Sequence, residues 1–198
     1  MKKNIIVCLG FVLFYLTGTA SAATTISTNM TVDNEFDFFI STNDSQPGVL
    51  VGYGDSWNTT YSFSYDLTLN TNYFIHIAAK DWGFVAGFIG EFTLSDNSFA
   101  FANNTQKLLT NVNDWTVYTD TFGGTPGATS EATYSWGTPT NIDSNADWIW
   151  TNNGNDTHTE RYFSAEIINM SQAPVPTTVL LFGSGLFILA LSIRRGKA

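Results

Sequence analysis

Residues 62–69 alternate without a break, with Phe63, Tyr65, Leu67 and Leu69 on one side and Ser62, Ser64, Asp66 and Thr68 on the other. A period of two over this length predicts a strand with one face buried. Residues 73–79 place Tyr73, Ile75, Ile77 and Ala79 together, and the short link Asn70-Thr71-Asn72 predicts that the two segments form a hairpin. The same alternation runs through Glu35–Phe38 ahead of Phe39-Ile40, and through Gly87–Leu94, where Phe88, Phe92 and Leu94 oppose Glu91 and Thr93. Segments 115–118, 148–150 and 161–167 predict further strands, with Trp148 and Trp150 sharing one face as core residues. Turn-forming clusters fall at 43–48, 52–55, 123–127 and 152–156, and the Gly/Thr-rich stretch 123–130 predicts a surface loop. No long segment has helical periodicity. Many short strands between polar turns predict an all-β domain, a β-sandwich or jelly roll.

Two apolar runs outside this pattern bound the domain at residues 23–173. Lys2 and Lys3 precede an apolar segment from Ile5 to Leu16, and Ala20-Ser21-Ala22 supplies small residues at both positions of a leader cleavage site. This three-part order predicts a signal peptide over 1–22, handled by the translocon and cut by signal peptidase after Ala22. A short buried helix is the alternative. The single cysteine, Cys8, leaves with the leader, so disulfides and thiolate metal sites are excluded from the mature domain. At the other end, Val179 to Ile193 carries no charge and is followed by Arg194, Arg195 and Lys197. The run spans about 22 Å as a helix, short of the ~30 Å hydrocarbon core but enough to stop translocation. Pro174 and Pro176 separate it from the domain. The basic cluster predicts a transmembrane helix with its end in the cytoplasm and residues 23–173 outside.

Charge sharpens this division. The 198 residues hold 17 acids and 8 Lys+Arg, net −9. All 17 acids lie between Asp33 and Glu166, where only Lys80, Lys107 and Arg161 oppose them, leaving the domain at −14. Such a surface excludes phosphate-backbone recognition, so no nucleic acid is expected as a partner. The aromatic content, 15%, excludes a disordered chain.

Val175-Pro176-Thr177-Thr178, the following Leu181-Phe182-Gly183-Ser184-Gly185-Leu186 and the terminal Arg194-Arg195 resemble a PEP-CTERM sorting signal of the V-P-x-P, Leu-Phe-Gly-Ser-Gly-Leu type. Thr177 stands where many members have Glu, and Thr178 where a second Pro is common. The resemblance covers residues 174–198. It implies a Gram-negative, exopolysaccharide-forming host and a tail that holds the exported precursor in the inner membrane. It also implies an exosortase, a cysteine protease-transpeptidase, cutting at the proline motif. A weaker resemblance, to galactose-binding-like jelly rolls, rests on Thr31–Phe36, Gly52–Trp57, Tyr73–Ala79, Ala86–Ile89, Ala146–Trp150 and Arg161–Phe163. It implies a jelly roll in a group that includes sugar binders, although a fold does not fix a function.

Catalytic patterns are sparse. There is no G-x-S-x-G, H-E-x-x-H or phosphate-loop motif, and the two histidines, His76 and His158, read as a packed and a solvated residue. Paired carboxylates could serve glycoside hydrolysis. Asp143, Asn145 and Asp147 put oxygen ligands at alternate positions, a candidate calcium loop, with Asp33, Asn34 and Asp81 weaker candidates of the same kind. An EF-hand is excluded, because Trp148 stands at position six and Gly154 at position twelve. Trp57, Trp82, Trp115 and Trp136 lie near turns beside Asp55, Asn58, Asp81 and Asp114, the combination that stacks on a sugar ring and reads its hydroxyls. Trp57 and Trp82 with Asp55 and Asp81 are the chosen candidates for extracellular polysaccharide; core packing is the alternative for each tryptophan. The expectation is a non-enzymatic, exported surface or matrix protein that adheres to or weakly binds glycan. A glycan-processing enzyme and a ligand-free structural component stay open beside it.

Overall fold

The computed structural model describes residues 23–133, 136–156 and 158–170. The leader with Ala20 and Ala22, the Val175–Thr178 motif, the apolar run and Arg194, Arg195 and Lys197 lie outside the described residues.

The domain is all-β, and two antiparallel sheets face each other across one apolar core. The strands are β1 (Thr24–Asp33), β2 (Glu35–Ser41), β3 (Val49–Gly54), β4 (Tyr61–Leu67), β5 (Tyr73–Lys80), β6 (Gly87–Leu94), β7 (Phe99–Phe101), β8 (Lys107–Leu109), β9 (Thr116–Tyr118), β10 (Ser130–Glu131), β11 (Ile149–Trp150) and β12 (Glu160–Asn169). The first sheet runs β10-β11-β6-β1-β4, with β8 sharing the β11 side of β6; the second runs β3-β2-β5-β12-β7, with β9 also on β12. Apart from the β2–β3 and β10–β11 pairs, every successive strand lies in the opposite sheet.

The alternations predicted for β2, β4, β5 and β6 place their apolar sides in the core, Phe36 and Phe38, Leu67, Ile75 and Ile77, Phe88 and Phe92, and the strand expected over 161–167, within β12, adds Phe163 and Ile167. These large rings and branched chains exclude water, each fully buried one contributing roughly 1.5–3 kcal/mol. Edge and tilted ring contacts join the sheets, such as Phe38–Phe92 at 6.2 Å and Phe88–Phe163 at 5.2 Å.

Four expectations need correction. β4 and β5 do not form a hairpin: β4 pairs with β1, and β5 with β2 and β12. Leu67 and Tyr73 both point into the core from opposite sheets, and the link between them turns at Asn70, φ +67°. A period of two reports which side is buried, not which strand is the neighbour. Gly52 and Gly54 are in a strand, not a turn. Their missing side chains admit aromatic rings: a Cβ on Gly52 would lie 2.1 Å from the Phe63 ring, and one on Gly54 2.5 Å from the Phe36 ring. Trp115 is a core residue, its Nε1 donating to Leu109 O at 3.1 Å, and offers no sugar platform. Trp148 and Trp150 are both buried, but they serve different clusters. Trp150 packs on Phe163 in the main core, whereas Trp148 joins Ile89, Ile142 and Ala146 in a second cluster. Ile89 is one residue from Phe88, so this smaller cluster covers the outer side of β6.

Candidate functional site

On the outer side of the second sheet, alternate residues of β2, β5 and β12 turn away from the core. Register sets Asp37 opposite Tyr53 on one side and opposite Ala78 on the other, and Ala78 opposite Tyr162. One step along, Glu35 and Glu160 both flank Lys80. Because Ala78 is short, a cleft of ≈ 310 Å³ forms above it, walled by Glu35, Asp37, Tyr53, Asp55, Lys80 and Glu160. Tyr53 is 66% exposed. At the rim, Trp82 is 53% exposed and held by two contacts from the cleft wall: its Nε1 donates to Glu35 Oε2 at 3.2 Å, and Lys80 Nζ sits 4.1 Å over its ring. Burial and the Glu35 charge push the Asp37 carboxyl above its usual range. Lys80 also pairs with Glu160 at 3.6 Å, so one ammonium stands among four carboxylates. The arrangement offers two aromatic faces and several hydrogen-bond acceptors, with its one ammonium already engaged by Glu160 and Trp82.

Further along the same sheet lies a different cluster. His76 is buried between Phe122, stacked at 4.0 Å, and Phe74. Its ring nitrogens face Pro47 O at 3.3 Å and Asp44 Oδ1 at 3.1 Å. Asp44 also accepts from Ser164 Oγ and from Tyr118 OH. Burial pushes the Asp44 carboxyl up, but these donors outweigh it and hold it below its ordinary value. Burial and the Asp44 charge push Tyr118 up to about 12. Aspartate is the hub here, and no serine donates to the histidine, so the cluster pins the 43–48 turn to the sheet rather than activating a nucleophile.

The candidates chosen from sequence are dispersed. Asp55 lines the cleft and accepts from Tyr61 OH at 3.0 Å. Trp57, 41% exposed, lies away from it, packed against Trp136 at 6.3 Å, and Trp136 rests on Trp148 at 4.5 Å. Asp81 is buried and cannot face a sugar. Asp143 and Asn145 form a tight turn, both Asn145 nitrogens donating to Asp143 Oδ1, while Lys107 Nζ lies 2.7 Å from Oδ2. Donation from Lys107 and Asn145 draws Asp143 down to about 2. The Asp147 backbone N–H donates to Thr110 O. Tyr53, Ala78, Glu35, Asp37, Lys80 and Glu160 were not singled out from sequence. The outward positions of β2 and β5 were visible in the alternation, but Tyr53 needed the recognition of β3 as a strand.

Comparison with protein-family models, with curated proteins and with solved structures finds no match for this chain.

Proposed function

We propose that this chain is an exported surface or extracellular-matrix protein whose β-sandwich, read as a jelly roll, associates weakly with extracellular polysaccharide through the cleft above Ala78. The leader features of residues 1–22 and the proline motif, apolar run and basic end of 174–198 support export and sorting by an exosortase-type enzyme. The observation that carries the binding reading is the exposed pair Tyr53 and Trp82 beside Glu35, Asp37 and Asp55. Aromatic faces stack on the C–H side of a pyranose, and carboxylates accept from its hydroxyls. The surplus of carboxylates selects a neutral or amino sugar over a uronic acid.

Binding of the purified exported protein to immobilised neutral, amino-sugar and uronate polysaccharides tests this. The expected result is retention on neutral or amino-sugar polymers, lost in Trp82→Ala and Tyr53→Ala. Equal retention of wild type and both variants, or preference for uronates, would overturn it. Mass spectrometry of protein released from cells tests the sorting: the expected species lacks Arg194-Arg195, and an intact C-terminus contradicts processing.

A further inference from the structure

Among the buried carboxylates, Asp33 and Asp81 stand apart. Asp33 ends β1, Asp81 follows β5, and the two strand ends are stitched together. Asn34 N–H donates to Lys80 O at 2.9 Å, and Trp82 N–H donates to Asn34 Oδ1 at 2.6 Å. Asp81 is 1% exposed and Asp33 6%. Each carboxylate receives a protein donor on one oxygen: His158 N–H reaches Asp81 Oδ2 at 2.8 Å, and Asn34 Nδ2 reaches Asp33 Oδ1 at 2.6 Å. Asp81 Oδ1 is buried and has no hydrogen-bond partner. A buried acceptor left in this state is rare in folded proteins and points to a group that completes it.

Among the described residues no Lys or Arg side chain supplies a counter-charge. The described residues contain three Lys/Arg side chains, and each is engaged elsewhere. Lys80 is over Trp82 and beside Glu160, Lys107 is between Glu91 and Asp143, and Arg161 is on Asp156. Asp143, the sequence candidate for calcium, already has its ammonium; the Asp33–Asp81 pair has none. The Asn34 amide is itself engaged, its Oδ1 accepting from Trp82 N–H and its Nδ2 donating to Asp33, so the two carboxylates are the side-chain donors on offer. Oxygen-only donors on irregular strand ends suit calcium, which accepts flexible geometry, better than magnesium, which demands a regular octahedron.

We propose that Asp33 and Asp81 bind a calcium ion that ties the end of β1 to the segment following β5. The site adjoins Trp82 at the cleft rim, but calcium binding is read without any glycan, so it stands or falls independently of the glycan reading. Bound calcium neutralises the pair and stabilises only the folded state, so apparent stability rises with free calcium.

The test takes the purified exported protein, stripped with EGTA and then titrated with calcium chloride, followed by calorimetry and thermal unfolding. One saturable site and a rise of several degrees in Tm are expected. Asp81→Asn and, separately, Asp33→Asn are expected to weaken binding at least tenfold and to make Tm insensitive to calcium. In EGTA each amide variant is expected to be at least as stable as the stripped wild type, since it keeps the volume and removes a buried charge. Asp143→Asn is expected to bind as wild type does. The proposal is overturned if wild type gives neither binding heat nor a Tm shift, including the case where acid alone stabilises it and a shared proton fills the role. It is equally overturned if both amide variants keep the site, or if Asp143→Asn loses it. Should one amide variant fail to fold, the other decides.

Discussion

The two sheets show solvent different outer sides. On the first, Ile89, Ile142, Ala146 and Trp148 form a second small core over β6, and Trp136 and Trp57 pack onto it in turn. On the second, the same kind of position above Ala78 is left open, and among the described residues no ring packs on Tyr53 or Trp82. Both sides carry tryptophans near acids. What separates them is whether the rings find each other: three tryptophans pack in a row on one side, whereas on the other Trp82 has only polar partners, Glu35 at its edge and Lys80 over one face. Surface aromatics near carboxylates therefore mark a binding site only where their partners are polar.

The contrast can be broken from either side. The largest effect is expected for Trp148→Ala, which removes a buried ring and its hydrogen bond to Gly137 O. It should cost about 3 kcal/mol in denaturant unfolding and leave glycan binding intact. Asp44→Ala leaves Ser164, Tyr118 and His76 without their shared acceptor and should cost about 2 kcal/mol. Its acid profile sharpens the point. The folded Asp44 carboxyl lies below its ordinary value, so its contribution is present above that value and is lost as pH falls through the depressed one. Urea midpoints measured down the acid range should fall further for wild type than for Asp44→Ala. Trp82→Ala should weaken polysaccharide binding at least tenfold, about 1.4 kcal/mol, while stability moves by about 0.5 kcal/mol or less. Trp57→Ala should be the smallest, with binding within about twofold of wild type.

The residues that were legible in the sequence are those with one wet and one dry side. β4 reads Tyr61, Phe63, Tyr65, Leu67 against Ser62, Ser64, Asp66, and its exposure follows the same beat. β1 escaped because Thr24 and Thr28 occupy inward positions beside Ile26, Met30 and Val32, which flattens the pattern. β7 escaped because Phe99, Ala100 and Phe101 are all buried and show no alternation. Glycines at 52 and 54 imitated a turn, and only the neighbouring rings explain them. Of the candidate cleft, Asp55 and Trp82 could be picked from local chemistry. Tyr53 and Ala78 become neighbours of Asp37 only through the pairing of β3, β2 and β5, which no local pattern encodes. The same limit hid the contrast between the acid pairs: that Lys107 reaches Asp143 while no Lys or Arg among the described residues pairs with Asp81 is a fact of tertiary contact.

The most direct measurement is an NMR titration of the isotope-labelled exported protein with a neutral oligosaccharide, read at both outer sides at once. The account predicts saturable shifts at Tyr53, Ala78 and the Trp82 indole with Trp57 and Trp136 unmoved; shifts confined to Trp57 and Trp136, or none at saturating sugar, would contradict it.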